Sequence, residues 1–234
     1  MASAPRLAVY MPQLLDALGK DAGDVPPGTR EMAAQTLFRI GRIGLSERIA
    51  VPRNATRDIG DFNNDEGRVL PPFAWKFRPM GTVSANPQDD GSLAIDVGSG
   101  AGGMVAERVI SLDGGRVGIE GLVSSKQTDP DRLPWLKLEC ASGEEGSISI
   151  RPVAIESGLF RYSDSGTLAG CRFADLRVIA PSNFSGGLVR AEIKSLRLTT
   201  PSAQANVDDV DSARDEPSAE EEIVIPPLPG EEEE

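Results

Sequence analysis

The residue types that carry most enzyme chemistry are scarce in this sequence. Its 234 residues contain no histidine, which excludes Ser-His-Asp and Cys-His nucleophile systems and imidazole-ligated zinc. Pairs of carboxylates remain, because glycosidase-type hydrolysis needs only two Asp or Glu side chains. Asp89 with Asp90, and Asp129 with Asp131, are such pairs, but both lie in predicted turns and nothing in the pattern marks them as tuned acids or bases. We therefore expect a protein that is not an enzyme.

A run of oxygen-bearing side chains between residues 58 and 67 fits part of a calcium loop. Asp61, Asn63 and Asp65 alternate, and alternate residues can wrap hard oxygen ligands around one ion. The glycine expected at the sixth position is replaced by Glu66, and the acid expected at the twelfth by Pro72. A connection rich in Asp and Asn explains the run equally well. Calcium is the one cofactor that the sequence leaves open, and no other is expected.

Two aromatic side chains are candidate ligand contacts. Trp135 and Tyr162 offer ring faces on which a sugar can stack. Trp135 is out of phase with the apolar residues that follow it, which predicts an exposed position, whereas Trp75 alternates in phase with two phenylalanines and is expected in the core. Aromatic residues make up only 5% of the chain, which is few for a carbohydrate-binding platform.

The two cysteines, Cys140 and Cys171, each lie at the edge of a predicted strand. A disulfide between them would close a loop of about 30 residues and add roughly 3 kcal/mol of stability. Such a bond suits an oxidising compartment. The alternative is a pair of buried thiols in a cytosolic protein.

The elements that must position these residues are mainly strands. From about residue 73 the apolar residues recur with a period of two, as in Leu93, Ile95 and Val97. Further strands are predicted at 104–112, 116–123, 133–140, 147–155, 172–180 and 188–198, with Gly, Pro, Asp and Ser between them. The predicted fold is mainly β, with an antiparallel, jelly-roll-like β-sandwich over residues 72–200.

Residues 1–48 are predicted to form a short helical segment, followed by a polar linker over residues 49–71. Apolar residues recur at three- and four-residue steps in 7–18 and again from Thr29 to about Ile43. Two short amphipathic helices cannot bury their apolar stripes alone. We therefore expect them to pack on the sandwich, on each other or on a partner.

Residues 201–234 hold 12 of the 36 acidic residues and a single base, Arg214. This composition predicts a disordered acidic tail. The rest of the chain is nearly neutral, so neither part suits the neutralisation of phosphates, and no nucleic-acid partner is expected. No stretch approaches the roughly 20 apolar residues of a transmembrane helix, and residues 1–12 do not make a convincing secretory signal.

Four segments together resemble a known domain: 72–75, 91–97, 133–140 and 171–176. They are similar to the C-terminal β-sandwich of tetratricopeptide-repeat-associated envelope proteins from sphingomonad-type alphaproteobacteria. That domain begins with a Phe-x-Trp strand, carries a Trp and a Cys on one later strand, and has a second Cys further on. The resemblance implies an exported, envelope-associated factor, a class sometimes suspected of roles in exopolysaccharide handling, and it carries over no catalytic residues.

These observations predict a non-catalytic binding or assembly module of the bacterial cell envelope that contacts a glycan or a protein partner. Its expected location is periplasmic or secreted. The alternative is a cytoplasmic protein-interaction module that uses its acidic tail and its N-terminal helices.

Overall fold

The computed structural model describes residues 27–51, 59–63, 69–112, 115–142, 146–184 and 187–199. Within these ranges the chain is mainly β, with two antiparallel sheets and two helices, which confirms the predicted fold class. The helix predicted in 7–18 and the acidic tail predicted in 201–234 lie outside the described residues.

Two consecutive helices precede the sheets. Helix α1 spans Pro27–Arg39 and helix α2 spans Ile43–Ala50. The chain turns between them at Gly41, whose φ is 77°. There the amide of Arg42 donates to the carbonyl of Leu37 at 2.9 Å and that of Gly41 to Phe38 at 3.0 Å, which is a Schellman cap. The prediction of one helix from Thr29 to about Ile43 is therefore wrong at its end, because the glycine cap stops it.

Within the described residues, eleven strands form the two sheets. They are β1 (Lys76–Phe77), β2 (Val83–Pro87), β3 (Leu93–Val97), β4 (Gly103–Ser111), β5 (Arg116–Ser125), β6 (Trp135–Cys140), β7 (Ser147–Ile150), β8 (Val153–Glu156), β9 (Leu159–Thr167), β10 (Phe173–Ala180) and β11 (Val189–Thr199). The order in the five-stranded sheet is β1-β4-β10-β6-β7, and in the six-stranded sheet β2-β3-β11-β5-β9-β8. Consecutive strands repeatedly change sheet, which is the crossing pattern of jelly rolls.

The main core lies between the inner faces of the two sheets. The alternation seen in the sequence supplies it: Leu136 and Leu138 of β6 are fully buried, and so are Ile193 of β11 and Ile119 of β5. Because side chains alternate along a strand, the residues between them point to the outer faces. Those outer faces are where a ligand or partner can bind.

The helices pack on the outer face of the five-stranded sheet and make a second, smaller core. Leu37 of α1 and Phe73 lie in this cluster together with Val109 of β4 and Phe173 of β10. The hydroxyl of Ser46 in α2 donates to the carbonyl of Ala34 in α1 at 2.7 Å, so the two helices are also tied to each other. Of the predicted packing alternatives, α1 and α2 use both the sandwich and each other.

The stretch between the helices and β1 adds to the core. Ile59 and Phe62 are buried, and the ring of Phe62 lies 4.8 Å from that of Trp75. The indole nitrogen of Trp75 donates to the carbonyl of Ile59 at 3.0 Å. The predicted polar linker therefore contributes apolar side chains to the sandwich. Trp75 is buried as predicted, although the regular strand begins only at Lys76.

Candidate functional site

The outer face of the six-stranded sheet carries a groove of 870 Å³. Its lining comes from β3, β5 and β11 and from the residues that follow β5. Gln88 after β2, Gly158 before β9 and Leu188 before β11 complete it. Across its floor Ala94, Glu192 and Ser124 lie side by side in one row of the sheet. Since Ala94 has only a methyl group, it leaves open space beside the carboxylate of Glu192.

The carboxylate of Glu192 is held in place by three donors. The hydroxyl of Ser92 donates to one oxygen at 2.9 Å, while the hydroxyl of Ser124 and the ammonium of Lys194 reach the other at 3.2 and 2.9 Å. The hydrogen bond from Lys194, followed by that from Ser92, lowers the pKa of Glu192. The groove therefore contains a fixed, ionised acceptor.

The neighbouring row adds a charge pair at the rim. The guanidinium of Arg190 lies 3.1 Å from the carboxylate of Asp96; the Arg190 side chain is largely exposed and that of Asp96 is partly buried. The hydroxyl of Ser125 donates to the carbonyl of Arg190 at 2.6 Å, and in turn accepts from the amide of Gln127 at 3.1 Å. Donors and acceptors thus alternate along the groove with little net charge.

The sequence alone did not point to this groove. Ser92 and Ser124 lie 100 and 68 positions from Glu192, and only the register of β3, β11 and β5 brings them together. Along each strand these residues show the ordinary alternation of polar and apolar positions. No signal in the sequence distinguishes such a site from a solvated sheet face.

Trp135 lies on the other sheet, at the start of β6, and is partly exposed on the outer face. It stands opposite Ile179 of β10. The guanidinium of Arg151 lies 5.5 Å from the centre of its ring and also pairs with Asp131 at 3.4 Å. Its ligand role stays a prediction, and the structure separates it from the groove on the six-stranded sheet.

The predicted ligand role of Tyr162 is wrong. Its side chain is fully buried between the sheets, and its hydroxyl donates to the carbonyl of Pro134 at 2.7 Å. Burial raises the pKa of Tyr162 far above its ordinary value. The ring lies beside Gly121, its partner on β5, where a Cβ atom would come within 3.2 Å of it. The sequence held a signal for this, because Tyr162 shares its phase with the buried Phe160.

The acidic run is only partly described. Asp61 accepts a hydrogen bond from the amide of Asn63 at 2.9 Å, and both residues line a cavity with Asp89 and Asp90. Asp65 lies outside the described residues. Among the residues that the structure describes, no three His, Cys, Asp or Glu side chains are grouped so as to hold a metal ion.

Cys140 and Cys171 form a disulfide, with their Cα atoms 5.7 Å apart. Cys140 ends β6 and Cys171 precedes β10, which pairs with β6. The bond therefore ties together the two ends of the chain segment that runs through β7, β8 and β9. No described helix is long and apolar enough to cross a lipid bilayer.

Comparison with known proteins identifies no family for this chain. No family model matches the chain, and no curated protein does. Among solved structures, the chain is similar to the enzymatically active domain of tailspike protein 4 from bacteriophage CBA120, at a TM-score of 0.37 and 12% identity. The similarity covers 64% of this chain and 21% of the tailspike chain, and at this TM-score it carries no argument about fold or function.

Proposed function

We propose that this protein is a non-catalytic binding module of the bacterial cell envelope and that the groove on its six-stranded sheet binds a glycan. The observation that carries the proposal is the fixed carboxylate of Glu192 in a groove of 870 Å³. Ligand sites are concave and contain a few polar groups whose positions are set by their surroundings. Glu192 and its hydroxyl neighbours meet both conditions.

The chemistry of the lining favours a hydroxyl-rich, nearly neutral ligand. A sugar hydroxyl both donates and accepts, so adjacent hydroxyls match an acceptor such as Glu192 beside a donor such as Arg190. The charges of Asp96 and Glu192 are balanced by Arg190 and Lys194, and Lys126 in the lining adds one positive charge. A polyanion would be repelled by the carboxylates, and a polycation by the bases.

A binding role suits Glu192 better than a catalytic one. A general acid at neutral pH needs a raised pKa, whereas the hydrogen bonds to Glu192 lower its pKa. An ionised carboxylate is a strong acceptor, and hydrogen bonds to charged groups contribute about 1.5–3 kcal/mol. Glu192 therefore serves to orient a hydroxyl group.

The envelope location is supported by the disulfide between Cys140 and Cys171, because such bonds persist in oxidising compartments. Trapping thiols with an alkylating reagent at the moment of cell lysis tests this part. An unmodified pair supports an envelope location. Two alkylated cysteines would favour the cytoplasm instead.

Glycan binding can be tested by affinity electrophoresis, in gels that contain dextran, mannan, a β-glucan or an acidic exopolysaccharide. We expect retardation by a neutral polysaccharide and a loss of about 10-fold or more in affinity for Glu192→Gln. Glu120→Gln is the matched control, since Glu120 is exposed on β5 of the same sheet outside the groove. Trp135→Ala tests binding at the outer face of the five-stranded sheet, separately from the groove on the six-stranded sheet. Retardation that depends on Trp135 and not on Glu192 would refute the groove as the site.

A further inference from the structure

A second cavity lies against the other sheet, between α1 and the outer face of the five-stranded sheet. Its volume is 320 Å³, which is within the range of small-molecule sites. The last turn of α1 and the Pro71-Pro72 segment line one part of it, and β4, β10 and β1 with the following Arg78 line the rest. None of the ligand or metal residues predicted from the sequence belongs to this lining.

Part of this cavity is apolar. Phe38 of α1 and Val109 of β4 belong to the small core between the helices and the sheet, where Phe38 is only partly buried. Pro71 and Pro72 are also partly buried, and all four residues line the cavity. A ligand with an apolar body would remove this surface from water, which favours binding.

The polar part of the cavity carries more positive than negative charge. Its lining contains the bases Arg39, Lys76, Arg78 and Arg108 and the acids Glu107 and Asp175. Each acid pairs with a base: Glu107 with Arg78, and Asp175 with Arg177 of β10 at 3.4 Å. The two carboxylates therefore have partners before any ligand binds.

Two of the bases keep their charge available for a ligand. Arg39 is exposed at the end of α1, and Lys76 is exposed on β1, opposite Glu107 of β4. Within the ranges that the structure describes, neither side chain takes part in an ion pair. A third base, Arg108, is positioned by the ring of Trp75, whose centre lies 5.5 Å from its guanidinium. Arg39 and Lys76 beside apolar surface suit a ligand that has an anionic end and an apolar body.

We propose that this cavity binds a small monocarboxylate with an apolar body, such as an aromatic or short-chain fatty acid. Its carboxylate pairs with Arg39 and Lys76, and its body lies against Phe38 and the two prolines. A single negative charge fits better than two, because Glu107 and Asp175 stand in the same lining and repel an added anion. The site is independent of glycan binding, since the cavity and the Glu192 groove share no residue.

NMR titration of the isotope-labelled full chain with sodium benzoate, at constant ionic strength, tests the proposal. We expect a dissociation constant of about 1 mM or below, which a ligand of this size can reach. The amide signals of Phe38, Lys76 and Val109 should shift, whereas those of Ser124 and Glu192 in the groove should not. Acetate has the charge without the ring, and benzyl alcohol has the ring without the charge, so each should bind at least about fivefold more weakly.

Charge variants identify the groups that hold the carboxylate. Arg39→Gln and Lys76→Gln should each weaken benzoate binding at least about fivefold. Arg42→Gln is the matched control, because Arg42 is exposed just beyond α1 and outside the cavity, and the change removes the same charge. Asp175→Asn should tighten binding, since it removes a repelling carboxylate. Thermal unfolding checks that each variant is folded.

Several outcomes would overturn the proposal. Equal affinity for benzoate, acetate and inorganic phosphate would show only an adventitious attraction of anions to surface bases. Equal affinity for benzyl alcohol would show that the bases take no part in binding. Benzoate binding that is unchanged in both Arg39→Gln and Lys76→Gln, or weakened as much in Arg42→Gln, would place the ligand elsewhere. Absence of binding at about 20 mM benzoate would exclude the site as a carboxylate receptor.

Discussion

Loss of the disulfide should lower the free energy of unfolding by about 3.5 kcal/mol. The bond joins residues 31 positions apart, and a cross-link that closes a loop of this length removes that much chain entropy from the unfolded state at 25 °C. Domains are commonly stable by only about 5–15 kcal/mol. The reduced protein should therefore be folded but marginal, with a thermal midpoint lower by about 7–14 °C.

Equilibrium unfolding in urea, with and without reductant, measures this loss. The described residues contain no free cysteine, and the sequence has only two cysteines, so any effect of reductant comes from this bond. The double variant Cys140→Ala/Cys171→Ala should unfold near the reduced protein and should not respond to reductant. Because reduction lets the unfolded chain expand, the slope of free energy against urea should also rise slightly.

Two results would refute this reasoning. A loss below about 1 kcal/mol on reduction would mean that loop closure does not set the stabilisation. A count of two reactive thiols in native protein purified without reductant would mean that the bond does not form. A normal loss in the alanine variant together with no loss on reduction would mean only that the reductant fails to reach the bond.

Three further predictions concern single positions. Gly115→Ala should lower the free energy of unfolding by about 2 kcal/mol more than Gly100→Ala. Both glycines have φ above 70°, but only at Gly115 would the new Cβ lie 2.3 Å from the carbonyl of Leu168. Urea unfolding of both variants measures the difference, and equal losses would contradict the clash. Tyr162→Phe should cost about 1–3 kcal/mol in the same assay, since it leaves a buried carbonyl without its donor; an unchanged midpoint would contradict this. Burial raises the pKa of Asp175, opposed by Arg177, so the folded state holds its proton more tightly and stability falls as the pH rises from the unfolded towards the folded pKa. Asp175→Asn should therefore stabilise the protein at pH 7 and not at pH 3, and thermal unfolding at both pH values would contradict this if the gain were the same.

The strands were predictable where one face of a strand is buried. In β3 and β6 the alternation of apolar residues reports the core directly, because a shift of one position would expose the whole set. The same alternation places Phe160 and Tyr162 of β9 in the core. The second half of β9 is polar, so the alternation is too short to identify the strand from the sequence. β9 forms there because it pairs with β5 over nine positions, and this pairing cannot be seen in a local window.

Changes of sheet were not predictable from alternation. The predicted strand 147–155 is two strands, with Ile150 in the five-stranded sheet and Val153 in the six-stranded one. Pro152 lies between them and has no amide N–H to donate to a neighbouring strand, so the strand is interrupted there. The groove was hidden for a related reason, since its rows depend on which distant strands become neighbours.

Most of the groove lies outside the loop that the disulfide closes. β7, β8 and β9 lie inside that loop, as does Gly158 of the groove lining, whereas Asp96 of β3 and Glu192 of β11 lie outside it. After reduction β9 is still held by its pairing with β5 and by Tyr162, whose hydroxyl donates to the carbonyl of Pro134 just before β6. β7 and β8 are short edge strands.

We therefore expect reduction to speed amide hydrogen exchange in β7 and β8 well before β3 and β11, because weakly held edge elements open first. Glycan retardation should then survive mild reduction. Faster exchange in β11 at the same reductant concentration would show that the two regions unfold as one unit. The groove would then depend on the disulfide as strongly as β7 and β8 do.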